Sequence, residues 1–429
     1  MLPVSAVFQV ADLLSDALAP LREPMSTDEL IALARRRTML TDFGGTPFQT
    51  PLRNLLRACF EDANLSLVGR IATRWDIVRF LSNLLRLVDE EKRAPEILAQ
   101  PVARPIFISG LPRSGTTFLH SLLAEDPANS VPRIWQLIHP YPLGNGRSGS
   151  DFRARRVARQ LRLFGLLAPD FRRMHPIDAD SPQECSEITA HVFASLRFDT
   201  TYRIPGYRRW LDETGHLDAY RFHKRFLQHL QHQTGGGRWV LKCPDHVFAL
   251  DAIRAVYPDA RLVFVHRDPL AVLLSVARLT ETLRRPFTRS IDKAEIGCQD
   301  SDRWLAATEL MIAAAQEQRF AEPIFHVHYL DLVRDPVGIV EALYQHFGDT
   351  LDAEAALRIG RLVEAKPNGG YGAHGSRLEE YGLDAALERE RYARYMAHFG
   401  IRPEARRQSA RSAKSSPVLA PRRSAKPVK

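Results

Sequence analysis

Apolar positions recur with a helical period through most of the first hundred residues. LIALARRR (30–37) follows Ser26 and Glu29, the two members of a capping box, and residues 64–93 carry the same period through many turns. Pro101 and Pro105 close this region, and the pattern then changes. Short apolar runs bounded by turn or polar residues predict strands at 105–109, 239–243, 261–265 and 324–328. Helical patterns follow at 115–124, 268–284 and 336–347. Strands alternating with helices predict a parallel sheet covered on both faces, the α/β class with three layers. A helical stretch returns at 351–399, interrupted by the glycine-rich segment 366–376.

The expected organisation has three parts. Residues 1–100 form a helical N-terminal extension and 101–400 the α/β domain; 401–429 is a disordered basic tail. Between the first two predicted strands lies a long, largely helical insertion, about 130–237, holding RARRVARQLRLFGLL, HPIDADSPQECSEI and LDAYRFHKRFLQHLQHQ before Gly235–Gly237. An insertion beside a ligand loop is a natural place to bind a second substrate.

The first strand leads into the richest motif, GLPRSGTT (110–117). Strand, glycine-bounded loop and helix start together bring backbone N–H groups onto a phosphate. Gly110, Gly115 and Thr117 fit the phosphate-loop pattern GxxxxGK[ST], but Thr116 stands where the lysine belongs and the cation is displaced to Arg113. Ser114, Gly115, Thr116 and Thr117 supply more donors than a bare turn needs. Arg267 follows the third strand, where ligands of open α/β sheets bind, and Ser275 lies eight residues further on in the next helix. Both are placed to reach a second phosphate.

These segments resemble sulfotransferases that use 3′-phosphoadenosine 5′-phosphosulfate (PAPS), in particular the branch containing tyrosylprotein sulfotransferases and bacterial relatives. PRSGTT resembles that family's 5′-phosphosulfate loop, and HRDPLAVLLS, with Arg267 and Ser275, its 3′-phosphate motif. VLKCPDH (240–246) aligns with the segment that carries an essential lysine, here Lys242; HYLDLVRDP (328–336) implies Tyr329 near the nucleotide. The resemblance spans roughly 105–347 and implies a phosphate-loop-like fold, PAPS as donor and a hydroxyl acceptor, or secondarily an amine. Arg113 and Lys242 would stabilise the leaving oxygen without a metal. A triphosphate enzyme would want the loop lysine, Mg²⁺ and an acid such as Asp268.

A general base is needed for the acceptor, and here the resemblance breaks. The relatives' glutamate after the loop helix is replaced by RIWQLIHP, where Gln136 cannot accept a proton. Glu184 is the first candidate, expected in the first turn of a helix starting at Ser181-Pro182, where capping is its alternative use. His246 and His175 follow. Glu125 is read as capping or solvated, and His223, His229 and His232 as an exposed helical face. Trp135, Phe164, Phe193, Phe198, Tyr202, Tyr207 and Trp210 either pack the core, the preferred reading, or line an acceptor pocket.

Composition changes the picture little. The chain has 429 residues, 45% hydrophobic and 25% charged. Its net charge of +9 looks like a nucleic-acid signal until it is located: 402–429 holds nine Arg and Lys against Glu404 alone, which leaves the rest almost neutral. No specific nucleic-acid partner is expected, and the tail reads as solubilising. Four scattered cysteines without C-x-x-C spacing predict neither zinc nor disulfides. With no secretory signal and no uncharged window of spanning length, a cytoplasmic protein is expected, with peripheral membrane contact open through the Arg-rich helix 153–162. The acceptor would be a small molecule, lipid or glycan. A nucleoside-triphosphate-dependent kinase and a non-catalytic nucleotide-binding protein stay open as alternatives.

Overall fold

The computed structural model describes residues 25–142, 152–167, 178–317, 319–365 and 377–404. Five strands, β1 (Ile106–Gly110), β2 (Asn129–Ser130), β3 (Arg238–Lys242), β4 (Arg261–His266) and β5 (Phe325–His328), form one sheet in the order β2-β3-β1-β4-β5. Every pairing is parallel. Four of the strands match the apolar runs within a residue or so. Pro105 stays outside β1 because it has no N–H, although its carbonyl accepts from Arg261 N at 2.9 Å. β2 was not foreseen: two residues are too few to carry an alternation, and pairing with Arg238 and Trp239 creates the strand.

Alternation along the strands feeds two cores. Ile106, Ile108, Val240, Val263 and Val265 pack with Phe118, Leu119 and Leu122 of the helix Thr116–Leu123 and with Val340 and Leu343 of Pro336–His346. On the other face Phe107, Trp239, Leu241 and Leu262 pack with Phe222, Phe226 and Leu230 of Leu217–Thr234. Helices Gln49–Glu61 and Leu67–Arg93 join this second core through Leu52, Leu55, Phe80 and Leu84. The three-layer α/β arrangement is therefore as expected, and the early helices share a core with the sheet. Helix Thr27–Thr38 starts where the pattern placed it, but Ser26 makes no side-chain capping bond. C-terminal helices Ala385–Arg391 and Ala393–His398 end beside β4, where the Phe399 ring stacks on His266 with centroids 4.2 Å apart.

Parallel pairing aligns the carboxyl ends of β3, β1 and β4. Ile108 pairs with Lys242 and Gly110 with Val265, so Lys242, the loop after β1 and Arg267 lie side by side along one sheet edge. The chain moves from β1 outward to β2, returns to β3 and then crosses to β4, so the strand order reverses about β1. Crevices at such points receive ligands in open α/β sheets.

A buried ionic network fixes the insertion to the early helices. Arg79 reaches Asp76 at 2.7 Å and Glu187 at 2.6 Å; Arg197 reaches the same two acids at 2.7 and 2.8 Å. Burial alone would raise the Asp76 carboxyl, but Arg197 and Arg79 outweigh it and hold Asp76 below the ordinary range. Removing one member strands the others in a dry site. Asp76→Ala should cost roughly 3 kcal/mol of stability, read as a lower midpoint in urea denaturation; a midpoint within error of wild type would mean that the network is solvated.

Candidate active site

The loop after β1 is built for close approach. At Gly110 (φ +137°) a Cβ would sit 2.3 Å from the Val265 carbonyl oxygen, and at Gly115 (φ +102°) 2.9 Å from the Tyr329 ring. Both backbone conformations are ones L side chains rarely adopt. Arg113 also takes a left-handed φ of +61°. Helix Thr116–Leu123 begins immediately after Gly115, leaving its first-turn N–H groups without intrahelical acceptors. The Ser114 hydroxyl is fully buried, with no hydrogen-bond partner among the described residues. A buried donor beside open amides at a helix start suits an anionic oxygen.

Lys242 ends β3 and is only 3% exposed. Its ammonium donates to the Thr117 hydroxyl at 3.2 Å and to Glu184 Oε1 at 2.6 Å. Glu184 is clamped by its neighbours: Gln183 N donates to the Pro132 carbonyl at 2.8 Å and Cys185 N to the Lys242 carbonyl at 3.0 Å. Just beyond, Glu187 ties the segment to Arg79 and Arg197. Glu184 does not lie in a first helical turn as expected. The helix starts later, at Ser186, because 181–183 pair across to 132–134 instead. Its carboxylate faces the lysine, with the side chain 36% exposed.

On the other side of the loop Arg267 donates Nη1 to the Arg113 carbonyl at 2.7 Å, and its guanidinium lies 3.9 Å from the Tyr329 ring centroid. Arg113 Nε donates to the Ser275 hydroxyl at 3.0 Å. The predicted residues Arg113, Ser114, Gly115, Thr116, Thr117, Arg267, Ser275 and Tyr329 therefore form one continuous set. Glu404, in sequence only the lone acid of a basic tail, grips Arg267 through both oxygens, at 2.6 and 2.9 Å. No local pattern marks it; the contact exists because the last helices bring the chain back beside β4.

Other candidates fall elsewhere. His246 is fully buried, bonds the Tyr220 hydroxyl at 2.5 Å and packs edge-on to Phe107. Burial pushes its ring well below the ordinary range, aided by His223, Lys242 and His120, so it stays neutral. His175 lies outside the described residues, as does the glycine-rich 366–376. His223 and His229 are buried rather than exposed, bonding Tyr257 at 2.7 Å and Glu91 at 2.9 Å; the periodicity of a helix covered on several sides misled that reading. Gln136 accepts from Arg133 N at 2.9 Å as a helix cap. Asp268 caps the helix Pro269–Arg284 through Leu270 N at 3.0 Å. Phe193, Phe198, Tyr202 and Tyr207 are buried in the core. No cluster of three or more His, Cys, Asp or Glu arranged for a metal occurs among the described residues.

Behind the lysine, Cys185, Ser186, His216, Tyr220, Cys243 and Asp245 line a cavity of about 20 Å³, room for about one water. Burial pushes the Asp245 carboxyl up to about 7, against the pull of Arg303 and with a further push from Glu184.

The sheet order, the loop at its reversal point and the cations flanking it define an α/β protein whose carboxyl strand edge suits a phosphorylated ligand. Residues 105–353, from the start of β1 to beyond β5, match the Sulfotransferase family, and the chain belongs to that family. It is similar to the omega-hydroxy-beta-dihydromenaquinone-9 sulfotransferase Stf3 of Mycobacterium bovis and of Mycobacterium tuberculosis. Each is 25% identical over 269 residues, which span 61% of this chain and 66% of the relative. Among solved structures, the sulfotransferase STF1 of Mycobacterium tuberculosis H37Rv is 30% identical over 87% of this chain and 99% of its own, with a TM-score of 0.77. STF9 of Mycobacterium avium is 28% identical over 89% and 98%, with a TM-score of 0.81.

The raised Asp245 carboxyl has a pH consequence. Between its ordinary value of 3.8 and about 7 the folded protein keeps a proton that the unfolded chain has lost. That contribution to stability is complete below the lower value and disappears as pH rises through the upper one. Asp245→Asn should flatten the fall in stability between pH 3.8 and about 7, measured by urea denaturation across that range. A slope equal to wild type would show that Asp245 ionises normally in the fold.

Proposed function

We propose that this chain transfers a sulfonate group from PAPS to a hydroxyl group of a small-molecule, lipid or glycan acceptor. The observation that carries this reading is the buried Lys242 ammonium, held between Thr117 of the phosphate loop and the Glu184 carboxylate. In sulfonate transfer the acceptor oxygen bonds to sulfur while the bond from sulfur to the phosphate oxygen breaks, and negative charge collects on the departing oxygen. Lys242 and Arg113 are the cations at the loop, and fixed charges in a water-poor site stabilise such an oxygen strongly. Glu184 is the carboxylate nearest this ammonium, so it takes the proton from the acceptor hydroxyl.

Ser114, Gly115, Thr116 and Thr117 would hold the 5′-phosphate, and Arg267 and Ser275 the 3′-phosphate, with Tyr329 beneath the Arg267 guanidinium. The orphaned Ser114 hydroxyl and the open first-turn amides fit that group. A hydroxyl acceptor also agrees with the name of the curated relatives, omega-hydroxy-beta-dihydromenaquinone-9 sulfotransferases. No helix among the described residues is long and apolar enough to cross a membrane.

Incubation with PAPS and a panel of primary alcohols, including long-chain ones, should release 3′-phosphoadenosine 5′-phosphate (PAP) together with a sulfate ester. Absence of any ester across the panel would count against the activity. Lys242→Ala should lower kcat by about 10²–10³ while PAP still binds, because a charge aimed at a developing oxyanion acts mainly in the transition state. Glu184→Gln should lower kcat by about 10²–10⁴ with little change in the KM for donor. A Glu184→Gln enzyme turning over at the wild-type rate would place the general base elsewhere.

A further inference from the structure

We propose that Glu404 occupies the place of the donor's 3′-phosphate in the ligand-free protein, so that donor binding displaces the segment 401–404 from the site. The inference rests on the donor reading above and adds a regulatory contact to it. Arg267 presents one bidentate edge, Nε and Nη2, and Glu404 takes both N–H groups at 2.6 and 2.9 Å. The remaining nitrogen, Nη1, is spent on the Arg113 carbonyl at 2.7 Å. An Arg fork binds carboxylate and phosphate through the same two parallel bonds. A phosphate arriving at Arg267 therefore finds the gripping edge already filled by an anion of matching geometry.

The segment is held lightly enough to yield. Beyond the ion pair, Glu404 N donates to Asp268 Oδ2 at 2.8 Å, Arg402 reaches Asp331 at 3.2 Å, and Ile401 is the buried apolar anchor. Arg402 and Pro403 are exposed, and the Arg267–Glu404 pair is about one-fifth accessible on each side. Swapping a carboxylate for a phosphate at a fixed guanidinium needs only this short stretch to open. A competing internal anion lowers the apparent affinity of every ligand that needs Arg267, in proportion to the fraction of time the site is closed. Ligands lacking a 3′-phosphate gain nothing from opening it. The contact thus acts on 3′-phosphorylated nucleotides alone: it lowers their apparent affinity and leaves nucleotides lacking that phosphate unaffected.

Calorimetric titration of the full chain with PAP, and with ADP as the nucleotide lacking the 3′-phosphate, tests this. Glu404→Gln removes the charge at nearly constant shape and should tighten PAP by about fivefold to tenfold, as expected for a charge-assisted, partly exposed pair, and leave ADP unchanged. Unchanged or weaker PAP binding, or equal tightening of ADP, overturns the proposal. Arg267→Ala separates the two levels of the account. PAP affinity that depends on Arg267 but not on Glu404 keeps the donor reading and removes the displacement, whereas PAP affinity independent of Arg267 removes both. Hydrogen exchange in the unaltered protein needs no variant to fold: PAP should speed exchange at the Glu404 amide and its neighbours, and ADP should not. Slower or unchanged exchange there with PAP overturns the proposal.

Discussion

A lysine ammonium almost wholly out of water must be given partners, and the partners given to Lys242 organise the site. Thr117 places it against the phosphate loop, and Glu184 supplies the opposite charge at 2.6 Å. Holding Glu184 there requires the segment 181–187 to lie along 132–134 and along the end of β3, which the backbone bonds from Gln183 and Cys185 accomplish. Holding that segment requires Glu187, which answers to Arg79 from the sequence-distant helix Leu67–Arg93 and to Arg197 from the next short α-helix of the insertion. The chain of dependence runs from one buried charge through the insertion to the long helix Leu67–Arg93. The helices preceding the sheet thus bear on the site: they fix the insertion that holds the Glu184 carboxylate against Lys242.

The arrangement also rationalises the altered loop. A phosphate loop with its own lysine brings the cation from the helix that binds the phosphates. Here Thr116 fills that position and the cations come from either side, Arg113 within the loop and Lys242 from the neighbouring strand. Parallel register makes the substitution possible, since Ile108 opposite Lys242 sets the strand end level with the loop. In the proposed reaction a single bridging oxygen needs neutralising, and one fixed ammonium beside it suffices without a metal bridging several oxygens.

Much of this was legible in the chain, for identifiable reasons. Apolar runs between turn residues gave four strands, and the glycines at 110 and 115 marked a loop that no side chain could replace. That Arg267 and Ser275 lie beside the loop was legible because their spacing from a strand end is a local property. The setting of Glu184, the first of three candidate bases, differs from the pattern: Ser181-Pro182 reads as a helix start, and only pairing with 132–134 shows that the helix begins later. His223 and His229 looked exposed because a helix packed on several sides keeps a polar residue wherever a buried partner such as Tyr257 or Glu91 awaits it. β2 and the Glu404 contact had no local signal at all, being products of where distant segments come to rest.

In the proposed function the site binds a 3′-phosphorylated adenosine phosphosulfate rather than a metal-bound triphosphate. Thermal stabilisation by PAP, compared with that by ADP and Mg²⁺ at equal concentration, tests it most directly. PAP should raise the melting temperature clearly, and ADP with Mg²⁺ little or not at all, because only PAP can engage the Arg267 side of the loop. Stabilisation by ADP and Mg²⁺ that equals or exceeds that by PAP would contradict it.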